Sequence, residues 1–271
     1  PVCTSACAAV DGRSSVVATE IVDLGALAGD PGYAAGVLAV ISQVRDAADT
    51  GAAVRLLKDA ASRLGVDGAM FTSFVRDDAT LASYRFLLAC DPVWGLQYAK
   101  NNWCLDDPWL RYALYNTEPV VAESLPPADK RAQWVSEAAA HFGFASTLVV
   151  PAPTAAAQSR VGVLCLGSSR LGFFAGGGGG ALRCLARSLA MELGDWMHRQ
   201  IRVELMTRAR ITDDDLMLLR HEQQGHSSKA IAAELNLEPK TIDCRFHRLS
   251  LKLGTANRRA AVRLAEIYGL I

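Results

Sequence analysis

The spacing of apolar positions predicts both helices and strands in the first two thirds of the chain. Apolar residues recur at intervals of three and four over 34–64, as in two amphipathic helices. Apolar and β-branched stretches typical of strands follow at 69–75, 83–90, 118–121, 146–152 and 160–167. Helical patterns lie between them at 92–102, 105–115 and 128–142, and Asp91-Pro92 is a typical helix cap and first helical residue. Because strands and helices are interspersed, we predict an antiparallel sheet covered by helices, an α/β/α sandwich.

The segments that flank this pattern have a different character. Residues 1–33 show no sustained period and contain turn signals such as Asp30-Pro31-Gly32, so we expect a flexible N-terminal arm. The glycine run 176–180 lacks the Gly-Lys-Ser/Thr ending of a phosphate-binding loop and favours a flexible turn. The helical pattern of 181–206 carries an apolar stripe that is first a core face and second a possible dimer seam: Leu182, Leu185, Leu189, Leu193, Trp196 and Met197.

Short helices separated by tight turns are predicted for the last part of the chain. Thr212 and Asp215 have the spacing of a capping box, and Gly225 ends the first helix. Ser227 caps a second short helix, and residues 236–239 form a brief turn into a third. Two short helices joined by a tight turn are typical of a helix-turn-helix.

The third of these helices is predicted to have one buried and one exposed side. At 100° per residue, a narrow arc contains Ile242, Phe246, Leu249 and Leu253. The opposite side holds Lys240, Asp243, Cys244, His247 and Leu251. Such a face could meet base edges while flanking basic residues bind phosphates: Lys240, Arg245, Arg248, Lys252, Arg258 and Arg259. The pattern alone also fits an ordinary small helical domain with a solvated charged face.

Composition and charge narrow the class of protein. Apolar residues make up 51% of the 271 positions and charged residues 21%, which is typical of a globular protein with two domains. We find no signal peptide and no membrane-spanning run. The seven cysteines are scattered and odd in number, which is typical of reduced thiols rather than disulfides, so we expect a cytoplasmic protein. Residues 207–271 hold 11 Lys and Arg against 8 Asp and Glu, a positive balance that fits a DNA-binding tail.

Residues 211–271 resemble the DNA-binding domain of the LuxR-type regulators. The shared residues are Gly225, Ser227, Ile231-Ala232, Leu235, Thr241-Ile242, Lys252-Leu253-Gly254, Asn257-Arg258 and Gly269-Leu270-Ile271. This chain departs from the family pattern at four positions. It has Asp215 and Ala230 where the family has Glu, Glu238 where the family has Ser, and Arg245 where His is common. These departures weaken helix caps rather than the fold. The resemblance implies that double-stranded DNA is bound by a homodimer. We assign the DNA contacts to Lys240, Thr241, Asp243, Cys244, His247, Arg248, Lys252 and Arg258.

The same tail occurs in response regulators and in quorum-sensing receptors, so the first domain must distinguish them. It lacks the acidic pair, central Asp and late Lys of a receiver domain. Instead, Trp94-(x3)-Tyr98-(x8)-Asp107-Pro108 resembles the acyl-homoserine-lactone-binding domain of the quorum-sensing branch. The resemblance implies that Trp94 donates to the lactone ring carbonyl, Asp107 accepts from the amide, and Tyr98 packs over the ligand. From the residues alone, Trp94 and Tyr98 could be plain core and Asp107 only a helix cap.

Several expected pocket residues depart from this family's pattern. Cys90 stands where the family has a Tyr that bonds the amide carbonyl of the ligand, and Cys165 where it has a Ser or Thr that assists this bond. Ala122 stands where the family has a Trp, and Thr147 where it has a Gly. A thiol is a weak donor, so an unsatisfied ligand carbonyl would cost about 1–3 kcal/mol. The departures leave open an orphan receptor with altered ligand choice, or one that works without ligand.

The sequence therefore predicts an α+β sensor and dimerisation domain over 34–206, built on a five-stranded antiparallel sheet, and an all-α four-helix domain over 207–271. The leading hypothesis is a signal-responsive transcription factor with a lactone ligand. The alternative is an orphan regulator that acts through DNA or a partner protein without a lactone. We predict neither an enzyme nor a cofactor or metal site. Apart from His198, which lies in the linker helix, His141 is the single histidine of the first domain, and no Ser-His-Asp or metal-ligand spacing occurs.

Overall fold

The first part of the chain is built on an antiparallel sheet with the strand order β2-β1-β5-β4-β3. The computed structural model describes residues 24–76, 82–126, 129–154, 159–175 and 179–271. The strands are β1 (Gly68–Arg76), β2 (Ala82–Ala89), β3 (Val120–Val121), β4 (Ser146–Pro153) and β5 (Arg160–Ser168). The central pair, β1 and β5, is in register from Gly68 opposite Gly167 to Val75 opposite Arg160. All five predicted strands are confirmed, although β3 is shorter than expected.

Helices cover both faces of this sheet, which confirms the predicted α/β/α sandwich. They are α1 (Leu24–Ala28), α2 (Tyr33–Val44), α3 (Thr50–Leu64), α4 (Pro92–Lys100), α5 (Pro108–Tyr115), α6 (Lys130–Ala140) and α7 (Gly179–Ala209). Residues of α4, α5 and α6 share one apolar cluster with one face of the sheet. On the other face α3 contacts β1 and β2, and a Cβ added at Gly194 of α7 would lie 3.7 Å from the Phe71 ring.

A glycine lets α4 pack directly on the sheet. A Cβ at Gly95 would lie 2.4 Å from Leu88 Cδ1, closer than real contacts allow, and 3.0 Å from Phe86 Cε2, tighter than most real contacts. The helix begins as predicted, because the Asp91 side chain accepts a hydrogen bond from the backbone N–H of Val93 and Pro92 follows the cap. This close approach holds the side chains of α4 against β1 and β2.

One expectation for the flanking segments is corrected, and for the other the first of its two interpretations is confirmed. Residues 1–23 of the expected arm lie outside the described residues, but 24–33 is not a loose arm, because α1 and the start of α2 bury Leu24 and Tyr33. Burial of the leucine side chain and of the tyrosine ring outweighs the weak helical signal of the segment. The apolar stripe of α7 is a core face rather than a dimer seam, since Leu182, Leu185, Leu189, Leu193 and Trp196 are each at most 5% exposed.

The end of the chain forms four short helices around an apolar core, as predicted. They are α8 (Asp213–Gln223), α9 (Ser228–Leu235), α10 (Pro239–Leu253) and α11 (Arg258–Ile267). The capping box is present: Thr212 Oγ1 accepts from the N–H of Asp215, and Asp215 Oδ2 accepts from the N–H of Thr212. Glu238 makes no side-chain cap, as its departure from the family pattern implies.

The described part of the chain divides into two compact units at Trp196 and Met197, within α7 and before the expected boundary at 206 and 207. None of the described helices combines the length and apolar character needed to span a membrane.

Candidate ligand-binding and DNA-binding sites

The residues expected to bind a ligand head group come together beneath α4. Trp94 and Tyr98 are completely buried, one helical turn apart, with ring centroids 5.7 Å apart in an edge-on arrangement. Cys165 of β5 belongs to the same cluster, and Cys90 and Ala122 pack at its margin, half-buried. Sequence positions that are far apart thus share one predominantly apolar site.

Asp107 is the buried carboxylate of this site, and it has two structural tasks. Its Oδ2 accepts a hydrogen bond from the hydroxyl of Tyr98 at 2.6 Å. Its Oδ1 accepts from the backbone N–H groups of Trp109, at 2.8 Å, and Leu110, at 3.2 Å, and so caps α5. Burial raises the pKa of the Asp107 carboxyl, although the hydrogen bonds from Tyr98 and the two N–H groups oppose this shift.

The indole of Trp94 has a weak partner. Its Nε1–H donates to the sulfur of Met70 on β1, at 3.3 Å. Met70 lies opposite Cys165 in the register of β1 and β5, so these residues share the face of the sheet beneath α4. A thioether is a poor acceptor. A ligand carbonyl would therefore be a better acceptor for this N–H than the present one.

The Cys165 thiol cannot replace the hydroxyl that the family pattern has at this position. Burial, assisted by the charge of Asp107, raises the pKa of Cys165 well above its ordinary value. The group therefore stays a neutral thiol, which is a weak hydrogen-bond donor. Thr147, the other buried departure, is used locally, since its hydroxyl donates to the carbonyl of Phe144 at 3.1 Å.

Sequence reasoning missed much of the wall of this site. Within 5.4–6.4 Å of the Trp94 or Tyr98 ring centroids lie the rings of Tyr84, Phe86, Trp103, Phe142 and Phe144. Alternation along β1 places Thr72 on the same face as Met70 and Phe74. The Thr72 hydroxyl is buried, and among the described residues it has no hydrogen-bond partner. The period of two in β1 could have identified it.

The second site is the exposed side of α10. Lys240, Cys244, His247 and Arg248 are exposed there, and Thr241 is half-buried near the start of the helix. The opposite side of α10 is buried through Ile242, Phe246, Leu249 and Leu253, as the periodicity predicted. Leu251 lies among the exposed residues and is 68% exposed, which is unusual for a large apolar side chain.

Three of the residues assigned to DNA contacts, Asp243, Lys252 and Arg258, also form ion pairs between helices of the domain. Lys252 forms an ion pair with Asp215, 2.5 Å between Nζ and Oδ2, and donates to the carbonyl of Arg210. Arg258 pairs with Asp243 at 3.0 Å and with Glu222 at 3.4 Å. Their charges are partly used inside the domain, whereas those of Lys240 and Arg248 are exposed.

The chain thus combines a domain that buries a polar and aromatic cluster with a helix-turn-helix domain, an arrangement typical of transcription factors that carry a sensor domain. The comparisons agree: residues 49–190 match the family model of the autoinducer-binding domain, and residues 212–265 match that of the bacterial regulatory proteins of the LuxR family. The chain belongs to the LuxR family of quorum-sensing regulators. This family consists of transcription factors without enzymatic activity, which confirms the prediction that the chain is not an enzyme.

Solved structures share the fold. Escherichia coli SdiA is 17% identical, with a TM-score of 0.65 over 87% of this chain and 97% of SdiA. SdiA in complex with octanoyl-rac-glycerol is 16% identical, with the same TM-score over 89% and 97%. CepR2 from Burkholderia cenocepacia, an N-acylhomoserine-lactone-dependent LuxR-family transcription factor, is 17% identical, with a TM-score of 0.50 over 61% and 98%. No curated protein sequence matches the chain significantly.

Proposed function

We propose that this LuxR-type regulator responds to an acyl-homoserine lactone bound beneath α4. The observation that carries the proposal is the Asp107 carboxylate, which is 3% exposed beside the Trp94 and Tyr98 rings. A buried carboxylate is costly to maintain for capping alone, because an exposed Asp caps a helix equally well. It suits a ligand that brings its own N–H donor into an apolar site.

The present hydrogen bonds leave capacity for such a ligand. Oδ2 of Asp107 has two lone pairs and one partner, the Tyr98 hydroxyl, so it can also accept from an amide N–H. A ring carbonyl would replace the sulfur of Met70 as acceptor for the Trp94 indole. One change replaces a weak hydrogen bond to sulfur with an ordinary one, and the other uses a free lone pair of Oδ2. Neither requires Asp107 to release the N-terminus of α5.

Thr72 adds a specificity element to this proposal. Its buried hydroxyl has no partner among the described residues and shares its face of the sheet with Met70 and Phe74. An unsatisfied buried hydroxyl costs about 1–3 kcal/mol. We propose that it pairs with an oxygen substituent on the acyl chain, and that Thr72→Val removes any preference for oxo- or hydroxy-substituted lactones over unsubstituted ones of equal length.

The test is thermal unfolding of the full chain with lactones of increasing acyl length, since a ligand selective for the folded state raises the melting temperature. Asp107→Asn keeps the size of the side chain but replaces one acceptor with an amide group. We expect it to lower lactone affinity by about 10- to 150-fold, the equivalent of about 1.5–3 kcal/mol. Cys90→Tyr should raise affinity if the ring fits.

Asp106→Asn is the matched control, because Asp106 is adjacent but pairs with the exposed Arg131 at 3.4 Å. If no lactone raises the melting temperature, or if neither the Asp107 nor the Cys90 substitution alters binding, lactone sensing is wrong.

The alternative is a regulator that acts without a lactone, and the two internal contacts favour it. Tyr98 already donates to Asp107, and Trp94 already donates to Met70, so both groups have hydrogen-bond partners within the domain. Because SdiA has been solved with octanoyl-rac-glycerol, this compound is a useful additional ligand in the same unfolding experiment. Its hydroxyl groups could donate to a carboxylate. Stabilisation by this compound alone would identify an acyl ligand other than a lactone.

We also propose that the protein binds DNA as a homodimer. The stripe of α7 is buried and does not support a dimer, but Leu38 of α2 and Met191 of α7 are 48% and 41% exposed along one shared groove. A dimer of helix-turn-helix domains reads half-sites one DNA turn or a multiple apart. Sedimentation should show a dimer that Leu38→Asp weakens; a monomer at micromolar concentration, with and without DNA, refutes it.

A further inference from the structure

Two histidines meet where α8 ends. Gly225 has a φ of +78°. In the next residue, the N–H of His226 donates to the carbonyl of His221 at 3.0 Å. The N–H of Gly225 also donates to the carbonyl of Glu222 at 2.9 Å. These two bonds define a Schellman motif, in which the first and last residues usually make an apolar contact. Here that contact is between two imidazole rings with centroids 5.2 Å apart.

The two rings direct the same nitrogen at each other. Nδ1 of His221 lies 2.9 Å from Nδ1 of His226, and only one proton fits between them, so one nitrogen presents its lone pair. A carboxylate oxygen of Glu234, on α9, lies 3.8 Å from the same nitrogen of His221. The three residues can each offer one ligand atom such that all three atoms lie within 4.8 Å of one another. The cluster thus combines two imidazole donors and one anionic oxygen.

We propose that His221, His226 and Glu234 bind a divalent transition-metal ion of the zinc type. Imidazole nitrogen and carboxylate oxygen are preferred ligands of zinc, at bond lengths of about 2.0–2.2 Å. Ligand atoms around a tetrahedral ion are then about 3.3 Å apart. The distances from His221 Nδ1 to His226 Nδ1 and to the Glu234 carboxylate, 2.9 and 3.8 Å, lie on either side of this value. Small side-chain rotations bring all three to the ion, and a water molecule completes the tetrahedron.

The surroundings suit such an ion. His221 is 8% exposed and held by the helix, whereas the Glu234 side chain is 62% exposed, so the ion can enter from solvent on the Glu234 side. The backbone motif orders two ligands before binding, which reduces the entropy lost on coordination. The ion would join the end of α8 to α9. From α9, Ser228 donates to Asp243 of α10 at 2.6 Å, so metal binding stabilises the helices that position α10.

Calorimetric titration of the reduced, chelator-treated full chain with zinc chloride tests the proposal. We expect one equivalent of zinc to bind at this site and the melting temperature of the chain to rise with zinc. Magnesium chloride should have neither effect, because Mg²⁺ prefers oxygen ligands. His226→Ala should remove this equivalent, and Glu234→Gln should weaken it at least ten-fold.

His141→Ala is the control, because His141 is exposed and outside the cluster, and it should bind zinc like the wild type. Glu234 is exposed, so Glu234→Gln is expected to fold even if His226→Ala does not. Zinc held by cysteines would be insensitive to either substitution. Unchanged zinc binding in Glu234→Gln and His226→Ala, or no binding by the wild type, overturns the proposal and leaves the two rings as a simple hydrogen-bonded pair.

Discussion

Asp107 in the sensor domain and Asp215 in the DNA-binding domain both satisfy backbone N–H groups at the start of a helix, in opposite environments. The partners of Asp107 are neutral, the Tyr98 hydroxyl and two N–H groups, and burial raises its pKa. Burial also acts to raise the pKa of Asp215, but the hydrogen bond and charge of Lys252 and the bonds with Thr212 outweigh it and lower the pKa.

The two aspartates show that a carboxylate at the start of a helix can either be neutralised by a cation from another helix or keep only neutral hydrogen-bond partners. At Asp215 the cation of Lys252 neutralises the carboxylate and joins α8 to α10 across 37 residues of chain. At Asp107 the directly bonded groups are neutral, so the carboxylate remains an acceptor that a buried ligand donor can use. The two carboxylates differ in position, since Asp107 is the N-cap residue of α5 and Asp215 is the third residue of α8, and they differ in the charge of their partners.

The largest effect is expected for Asp107→Ala. It leaves the Tyr98 hydroxyl and the first N–H groups of α5 without an acceptor, which should lower the free energy of unfolding of the sensor domain by about 2–4 kcal/mol. Tryptophan fluorescence during denaturant unfolding measures this, because all five tryptophans precede Met197. Asp106→Ala, which removes an exposed ion pair, should cost less than about 1 kcal/mol. Equal costs would show that Asp107 has no special structural role.

A smaller loss is expected for Lys252→Ala, which removes the ion pair with Asp215 and the hydrogen bond to the Arg210 carbonyl. Since the Lys252 side chain is 33% exposed, we expect about 1 kcal/mol, less than for a buried charged hydrogen bond. Hydrogen exchange measures this loss of stability, and we expect faster exchange of the α8 and α10 amides in Lys252→Ala. Arg248→Ala, on the exposed side of α10, is the control and should leave exchange unchanged.

The DNA contacts should separate by salt dependence rather than by stability. Replacing Lys240 or Arg248 with Ala removes one phosphate contact, so the slope of log affinity against log salt should fall by about one for every DNA sequence. Lys252→Ala and Arg258→Ala should lower the slope and stability together, because both residues also form internal ion pairs. Unchanged slopes for all four variants would contradict the assignment of α10 as the DNA-facing helix.

The smallest effect is on pH dependence, where the two carboxylates should differ in sign. With its raised pKa, Asp107 stabilises the fold below the ordinary carboxyl pKa of about 4, and this contribution is lost as pH rises through the folded-state pKa. With its lowered pKa, Asp215 stabilises the fold above about pH 4, and this is lost as pH falls. Unfolding of wild type against Asp107→Asn and Asp215→Asn, between pH 3 and 6, measures both. The same sign for both differences would refute the comparison.

Local features of the protein were predictable from the sequence. The five strands, the caps at Asp91, Thr212 and Ser227, and the buried side of α10 follow from periods of two and 3.6 residues and from capping chemistry. Three of the residues expected at the head-group site, Trp94, Tyr98 and Asp107, belong to a motif of fourteen positions that is short enough to be identified along the chain. These features depend on neighbours in sequence, which is why the pattern carries them.

Other features were decided by tertiary structure alone. The partner of Trp94 is Met70 on another strand, the partner of Lys252 is Asp215 on another helix, and His221 meets Glu234 across a turn. The stripe of α7 illustrates the same limit, since periodicity shows that a face is apolar but not whether its own domain or a second chain buries it. Side chains distant in sequence are brought together by packing, and the free energy of packing depends on all elements at once rather than on any local pattern.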